Sequence, residues 1–198
     1  AGIGFGGSCF KKDILHLAYL CEYYGLPEVA GYWENVVRIN EYQQERFTAN
    51  ILSSMFNTLA GKKICILGFA FKANTGDTRE SPAIYVARKL LAEQAIVTIS
   101  DPKALQNAAL DLADISENLK YEEDPYKAAA GCHALAILTD WDIYRKLDYR
   151  KIYKSMLKPA FLFDGRNICN HKKCFEIGFN VYPIGKPAMS HLKMTQNK

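Results

Sequence analysis

From Lys63 onward the sequence alternates short apolar runs with helical patterns, and this alternation restricts the possible folds more than any other feature. The apolar runs fall at 63–69 (KICILGF), 95–100 (AIVTIS), 133–139 (HALAILT), 160–164 (AFLFD) and 180–184 (NVYPI). Few polar residues interrupt them, so a strand built from such a run needs cover on both faces. Helical patterns stand between the runs, most clearly over 82–93, more weakly over 125–131, and again over 142–157. Strand and helix in repetition predict an α/β fold with a doubly wound parallel sheet.

Before Gly61 the pattern is helical. Ile14, Leu17, Ala18 and Cys21 recur at helical spacing, and Gly25 and Pro27 bring that helix to a stop. A second helix is expected from Pro27, a favourable first-turn residue, to about Leu59. Its apolar positions include Val29, Trp33, Val37, Phe47, Ile51 and Met55. A helix of that length suits a role in connecting or dimerising domains. The chain thus divides into a helical region over 1–60, an α/β domain over 61–187 and a frayed polar tail over 188–198.

The formal net charge is only +4, with no dense basic block. Small anionic ligands are therefore expected, and neither nucleic acid nor a membrane surface is. No apolar stretch reaches the roughly 18 residues of a spanning helix, and the start does not read as a signal peptide. The six cysteines are scattered, some inside apolar runs such as Ile64-Cys65-Ile66-Leu67, which reads as a reduced, intracellular, cytoplasmic chain. An opening on Ala1-Gly2-Ile3-Gly4-Phe5-Gly6-Gly7 without a methionine reads as a piece of a longer protein.

Three segments could carry chemistry. The first, Gly4 to Asp13, places Cys9 at or just before a helix start, behind glycines and beside Lys11 and Lys12. That setting favours a thiolate, and the glycines allow close approach of a ligand to backbone. Asp13 falls one helical turn after Cys9. The alternative is a small buried cysteine beside an ordinary turn, the commoner meaning of a single cysteine in a glycine-rich loop. The second segment runs from Gly68 to Pro82, after the first strand, where a doubly wound sheet binds nucleotides. It is no dinucleotide fingerprint, since Phe69 and Phe71 would block close approach of pyrophosphate to the backbone. Lys72 and Arg79 offer cations to phosphate and Phe71 a ring to a sugar or base; a merely solvated loop is the rival reading. In the third, Phe163-Asp164-Gly165-Arg166-Asn167, Arg166 could reach the same crevice or stand as a surface arginine by a turn. The Cys169–Cys174 stretch is a weak metal pattern, and no metal is expected.

GFGGSCFKKD, PEVAGYW with VVRIN, LGFAFKANTGDTRESP and FDGRN stand in the order and spacing of the UDP-glucose dehydrogenases. The chain resembles that family from Gly2 to about Gly185, and the animal-type enzymes most. The resemblance implies oxidation of UDP-glucose to UDP-glucuronate with two NAD, through a thiohemiacetal and a thioester. It makes Cys9 the nucleophile and Asp13 its aid in water or proton movement. It makes Ala1, Gly2, Ile3, Gly4, Phe5, Gly6, Phe71, Lys72 and Arg166 substrate contacts. Cys9, Phe10, Lys11, Lys12 and Arg79 become contacts to NAD. It implies a Rossmann-like UDP-binding domain after a central helical region, and a homo-oligomer, dimeric through the long helix and up to hexameric in the full-length protein. Lys11, Ala73, Asn74 and Pro82 depart from the closest pattern. The family's N-terminal NAD-binding domain, with the glutamate, lysine and asparagine that complete its active site, lies outside this sequence, so the chain alone is expected to be inactive. A sister enzyme acting on GDP-mannose or a UDP-N-acetylhexosamine, or a non-catalytic nucleotide-binding and dimerising module, are the alternatives.

Overall fold

The computed structural model describes residues 2–115 and 117–192; Ala1, expected as a substrate contact, lies outside them. Two helices come first. Helix α1 (Phe10–Tyr23) buries Ile14 and Ala18, while Leu17 of the expected apolar face is exposed. Helix α2 (Pro27–Ser54) opens on its proline and buries Ala30, Val37, Phe47 and Ile51, and α1 packs along it. It stops short of the expected Leu59. Phe56 and Asn57 take left-handed φ of 65° and 54°, which a helix cannot continue through.

The remainder is a sheet wrapped by helices. In chain order come β1 (Lys63–Leu67), α3 (Pro82–Ala92), β2 (Ile96–Ser100), α4 (Leu105–Asp111), β3 (Leu119–Tyr121) and α5 (Pro125–Ala129). There follow β4 (Ala134–Ile137), α6 (Asp142–Arg145), α7 (Tyr149–Ser155), β5 (Phe161–Asp164), α8 (His171–Ile177) and β6 (Asn180–Pro183). All pairings between these strands are parallel and the order is β3-β2-β1-β4-β5-β6. That is the doubly wound arrangement, with its switch point between β1 and β4.

Every residue of β4 and β5 is buried, which is what their uninterrupted apolar character requires. Helix α3 lays Val86, Ala87 and Leu90 on the core, and α2 packs on α3. The C-terminal end of α2 reaches the β5–β6 half, where Phe56 meets Phe161 edge to face at 6.2 Å and Phe163 stacks on Tyr182 at 5.0 Å. Helices α5 and α7 pack together, as do α7 and α8.

Several expectations need correction. The single helix over 142–157 is two, because the Asp148 carboxylate accepts from Arg150 N at 2.9 Å and Lys151 N at 3.2 Å and so starts α7 afresh. Strand β3 and helices α4 and α8 had no counterpart in the sequence reading: β3 is a three-residue edge strand, largely exposed, with too short a pattern to register. The tail expected to fray from 188 is tied down over its described part. Met189 and Val181 exchange backbone hydrogen bonds at 2.8 and 2.9 Å, and the His191 ring stacks on Phe175 at 4.0 Å.

Candidate active site

The loop after β1 is held by one buried carboxylate. Asp101, at the end of β2, accepts from the backbone N–H groups of Phe69 (2.7 Å), Ala70 (3.1 Å), Lys103 (2.9 Å) and Ala104 (2.9 Å), and from the Trp141 indole (3.1 Å). Ser81 both caps α3 and donates to the Phe69 carbonyl at 2.7 Å, while Thr139 donates to the Ala70 carbonyl at 2.6 Å. Gly68 is obligatory at the strand end. Its φ is +96°, and a Cβ there would lie 2.4 Å from Thr139. These bonds turn Phe69 into the core, fully buried, and present Phe71 outward. Of the two phenylalanines expected to block a pyrophosphate, only Phe71 stands at the site.

The loop after β5 brings the third strand end in. Asp164, fully buried, accepts from Arg166 N (3.1 Å) and Cys169 N (2.9 Å) and pairs with His171 Nε2 (2.9 Å). Burial alone would raise the Asp164 carboxyl, yet the bonds from Cys169, His171 and Arg166 outweigh it and hold it below the ordinary value. The side chain of Arg166 then spans the switch point: Nε donates to the Leu138 carbonyl at 2.7 Å and Nη2 to the Phe71 carbonyl at 3.3 Å. Burial lowers its pKa and nearby Asp140 opposes that shift; the guanidinium stays charged.

Over these strand ends lies the glycine run. Its Ile3 is fully buried, fitting against Gly165, where a Cβ would come within 2.6 Å of it; that side chain is core and not a surface for a ligand. Gly7 N donates to the Arg79 carbonyl at 2.8 Å, and a Cβ on Gly7 would sit 3.0 Å from the Phe71 ring. Gln43 of α2 donates to the Gly2 carbonyl at 3.0 Å, and the Asn40 carboxamide bonds Phe5 N at 2.7 Å and Phe5 O at 3.1 Å. A cleft of about 450 Å³ results, lined by Gly2, Gly4, Phe5, Gly6, Phe71 and Arg166. All six are among the expected substrate contacts. Lys72 is not in its wall; it lies exposed, its ammonium 5.4 Å from the Phe71 ring centroid.

Cys9 stands at the N-cap position of α1, three residues beyond Gly6, makes no side-chain capping bond and is exposed. Asp13 N donates to the Cys9 carbonyl at 2.8 Å, which puts the two one turn apart, but the Asp13 carboxylate faces solvent and pairs with Lys12 at 3.2 Å. Lys11 pairs with Glu80 at 3.2 Å and Glu41 at 3.8 Å, tying α1 to the loop after β1 and to α2. Arg79 is gripped by Asp77, with Nη2 to Oδ2 at 2.6 Å; that bond raises the arginine and lowers the carboxylate from their ordinary values.

These residues do not fit a whole NAD. The α3 start is capped by its own Ser81, Phe71 fills the place of a fingerprint glycine, and the cations expected to meet the cofactor already hold acidic partners. They can offer a dinucleotide an edge and no cradle. Among the described residues no group of three metal-ligating side chains occurs. Cys169 instead meets the Tyr149 hydroxyl at 3.1 Å, and His171 serves Asp164. No helix is long and apolar enough to cross a membrane among the described residues.

Asn40, Gln43, Asp101 and Thr139 also shape the site, and none of them belongs to the segments from which chemistry was expected. For Asn40 a signal existed: it continues the buried stripe Val37, Gln44, Phe47, Ile51 as a polar residue at helical spacing.

A family model described as the UDP-binding domain of the UDP-glucose/GDP-mannose dehydrogenase family matches residues 65–171, and that family's central-domain model matches 1–42. The chain belongs to the UDP-glucose/GDP-mannose dehydrogenase family. Within it, UDP-glucose 6-dehydrogenase 2 of Oryza sativa subsp. japonica is 51% identical over 94% of this chain and 42% of its own length. The UDP-glucose 6-dehydrogenase of Mus musculus is 49% identical over 96% of this chain and 41% of its own. The leaning toward animal enzymes suggested by the motifs is therefore not seen. The structure of a UDP-glucose dehydrogenase from Pyrobaculum islandicum superposes with a TM-score of 0.75 at 36% identity, over 92% of this chain and 38% of that one. The chain thus spans less than half the length of these relatives, and most of its sheet falls within the residues matched by the UDP-binding-domain model.

Proposed function

We propose that this chain forms the nucleotide-sugar-binding and nucleophile-bearing part of a UDP-glucose 6-dehydrogenase, which oxidises UDP-glucose to UDP-glucuronate. The observation that supports this most is the convergence of Gly2, Gly4, Phe5, Gly6, Phe71 and Arg166 on one cleft at the switch point of the sheet, with Cys9 three residues further along the chain at the start of α1. Arg166 provides a fixed positive charge for a diphosphate. Phe71 provides a ring edge, and the glycines provide backbone that a sugar can approach closely.

In the proposed reaction the Cys9 thiolate adds to the C6 aldehyde, forming a C–S bond while the carbonyl oxygen takes a proton. The aldehyde itself arises when the C6 alcohol loses a hydride and a proton; loss of a second hydride and of the hydroxyl proton turns the adduct into a thioester, which water splits to release the carboxylate and return the thiol. Asp13, one turn away, is suited to steer that water once freed from Lys12. NAD, which supplies the hydride acceptor, is held mainly by residues beyond this chain, with Arg79 and the Cys9–Lys12 segment at its edge. Six free cysteines suit a reducing, cytoplasmic setting. Exposed Val29, Tyr32, Ile39 and Tyr42 along α2 support a dimer built on that helix, within a larger homo-oligomer.

Calorimetric titration of the chain with UDP-glucose, GDP-mannose and UDP-N-acetylmannosamine tests the substrate assignment. UDP-glucose should bind tightest; preference for GDP-mannose would overturn it in favour of a sister enzyme.

A further inference from the structure

We infer that Asn40 is a positioning residue for the glycine wall of the cleft, acting through the peptide of Phe5. Its carboxamide pairs with Phe5 in both directions, Oδ1 accepting from Phe5 N at 2.7 Å and Nδ2 donating to Phe5 O at 3.1 Å. A side chain on a helix thereby does for this peptide what a neighbouring strand would do. Phe5 and its neighbour Gly6 line the cleft, whereas Asn40 does not.

The run needs such a hold. Gly4 and Gly7 stand at φ of +118° and +90°, and glycines in that region are confined by outside contacts and not by their own sterics. Among the described residues, the other hydrogen bonds to residues 2–7 are the one from Gln43 to Gly2 O and the one from Gly7 N to Arg79 O, near the two ends of the segment. Asn40 holds the middle. Gly4 is matched to it, because a Cβ at Gly4 would lie 2.6 Å from Asn40 Oδ1. The glycine is thus required for the amide to reach Phe5, and the amide removes the freedom the glycine brings.

Fixing the wall before a ligand arrives spares the binding step the ordering of that backbone. Losing the hold should weaken binding without undoing the fold, since α2 keeps its buried Phe47 and Ile51. The inference rests on the proposed function only in naming UDP-glucose as the ligand.

The test is calorimetric titration of UDP-glucose into the unaltered chain, Asn40→Ala, Asn40→Asp and a control, Ile51→Val, with thermal melts and hydrogen exchange at the Phe5 amide. Asn40→Ala should raise Kd by about tenfold or more. It should also accelerate Phe5 exchange. Asn40→Asp, which keeps the acceptor for Phe5 N, should fall between it and the unaltered chain. Ile51→Val should lower the melting temperature and leave Kd unchanged. Asn40→Ala binding with unaltered affinity, or Ile51→Val weakening binding as much as Asn40→Ala, overturns the inference alone. An unaltered chain that takes up no UDP-glucose overturns the functional reading and the inference with it.

Discussion

The carbonyl oxygen of Glu80 stands 2.4 Å from where a Cβ on Gly6 would be, so the glycine run and the loop after β1 touch backbone to backbone. Beside this contact Gly7 N donates to Arg79 O, and Lys11 pairs with Glu80. Gly6→Ala should force the two segments apart and weaken UDP-glucose binding by about tenfold or more. The melting temperature should change little, because the contact lies outside the sheet core. Calorimetry and a thermal melt on the same variant check both halves.

Arg166 joins the ends of three strands, and two of its bonds go to backbone carbonyls that a shorter or differently shaped cation cannot reach together. Arg166→Ala should weaken nucleotide binding roughly 10- to 100-fold, the scale of a lost charge-assisted bond. Arg166→Lys should recover little of it. Titration with UDP tests this without any sugar.

Asp101 is the point at which a single change should undo the loop after β1. Five donors converge on it, and Asp101→Ala strands most of them in a buried setting. The expected cost is about 3 kcal/mol or more. Urea denaturation measures it.

The architecture could be read from residues such as Ile64, Ile66, Leu135 and Leu162, whose apolar runs are too short for helices and too continuous for an exposed sheet. Turn chemistry was harder to see. By sequence Asp148 is one more polar residue within a helical pattern, whereas in the fold its carboxylate caps α7. At the site, Phe71 and Arg166 were legible because each follows a strand. Phe69 also follows a strand yet lies in the core, because Asp101, 32 residues on, turns the chain inward at that point and nothing in the sequence tells of that bond. Asn40 and Gln43 act on a loop 35 and 41 residues away, a distance that helical periodicity does not encode.

Acid should loosen the loop after β5 through Asp164. Its folded pKa lies below the ordinary carboxylate value of about 3.9, so the group contributes stability that is fully present above that value and lost as pH falls through the folded pKa. Stability of the unaltered chain should therefore decline below about pH 4 more steeply than that of Asp164→Asn, which has no proton to gain there. Denaturation curves at a series of acidic pH values show the difference as a change of slope.

Covalent catalysis by Cys9 predicts that Cys9→Ser in a full-length parent enzyme lowers UDP-glucuronate formation on the order of 10⁴-fold, the scale of removing a nucleophile. The chain alone, mixed with UDP-glucose and NAD, should yield no NADH. An unchanged rate in the variant would assign the loop to binding only, and NADH from the chain alone would contradict the division of labour proposed for the active site.

The most direct test of the central claim is a crystal structure of the chain with UDP-glucose, because a second and larger cavity offers the ligand another seat. That cavity, about 1160 Å³, lies between the end of α2 and β6 and includes Arg46 and Lys186 in its lining. Density is expected in the smaller cleft, with the diphosphate at Arg166 and the sugar against the run from Gly2 to Gly6. Density seated between Arg46 and Lys186, with the cleft at Arg166 empty, would contradict it.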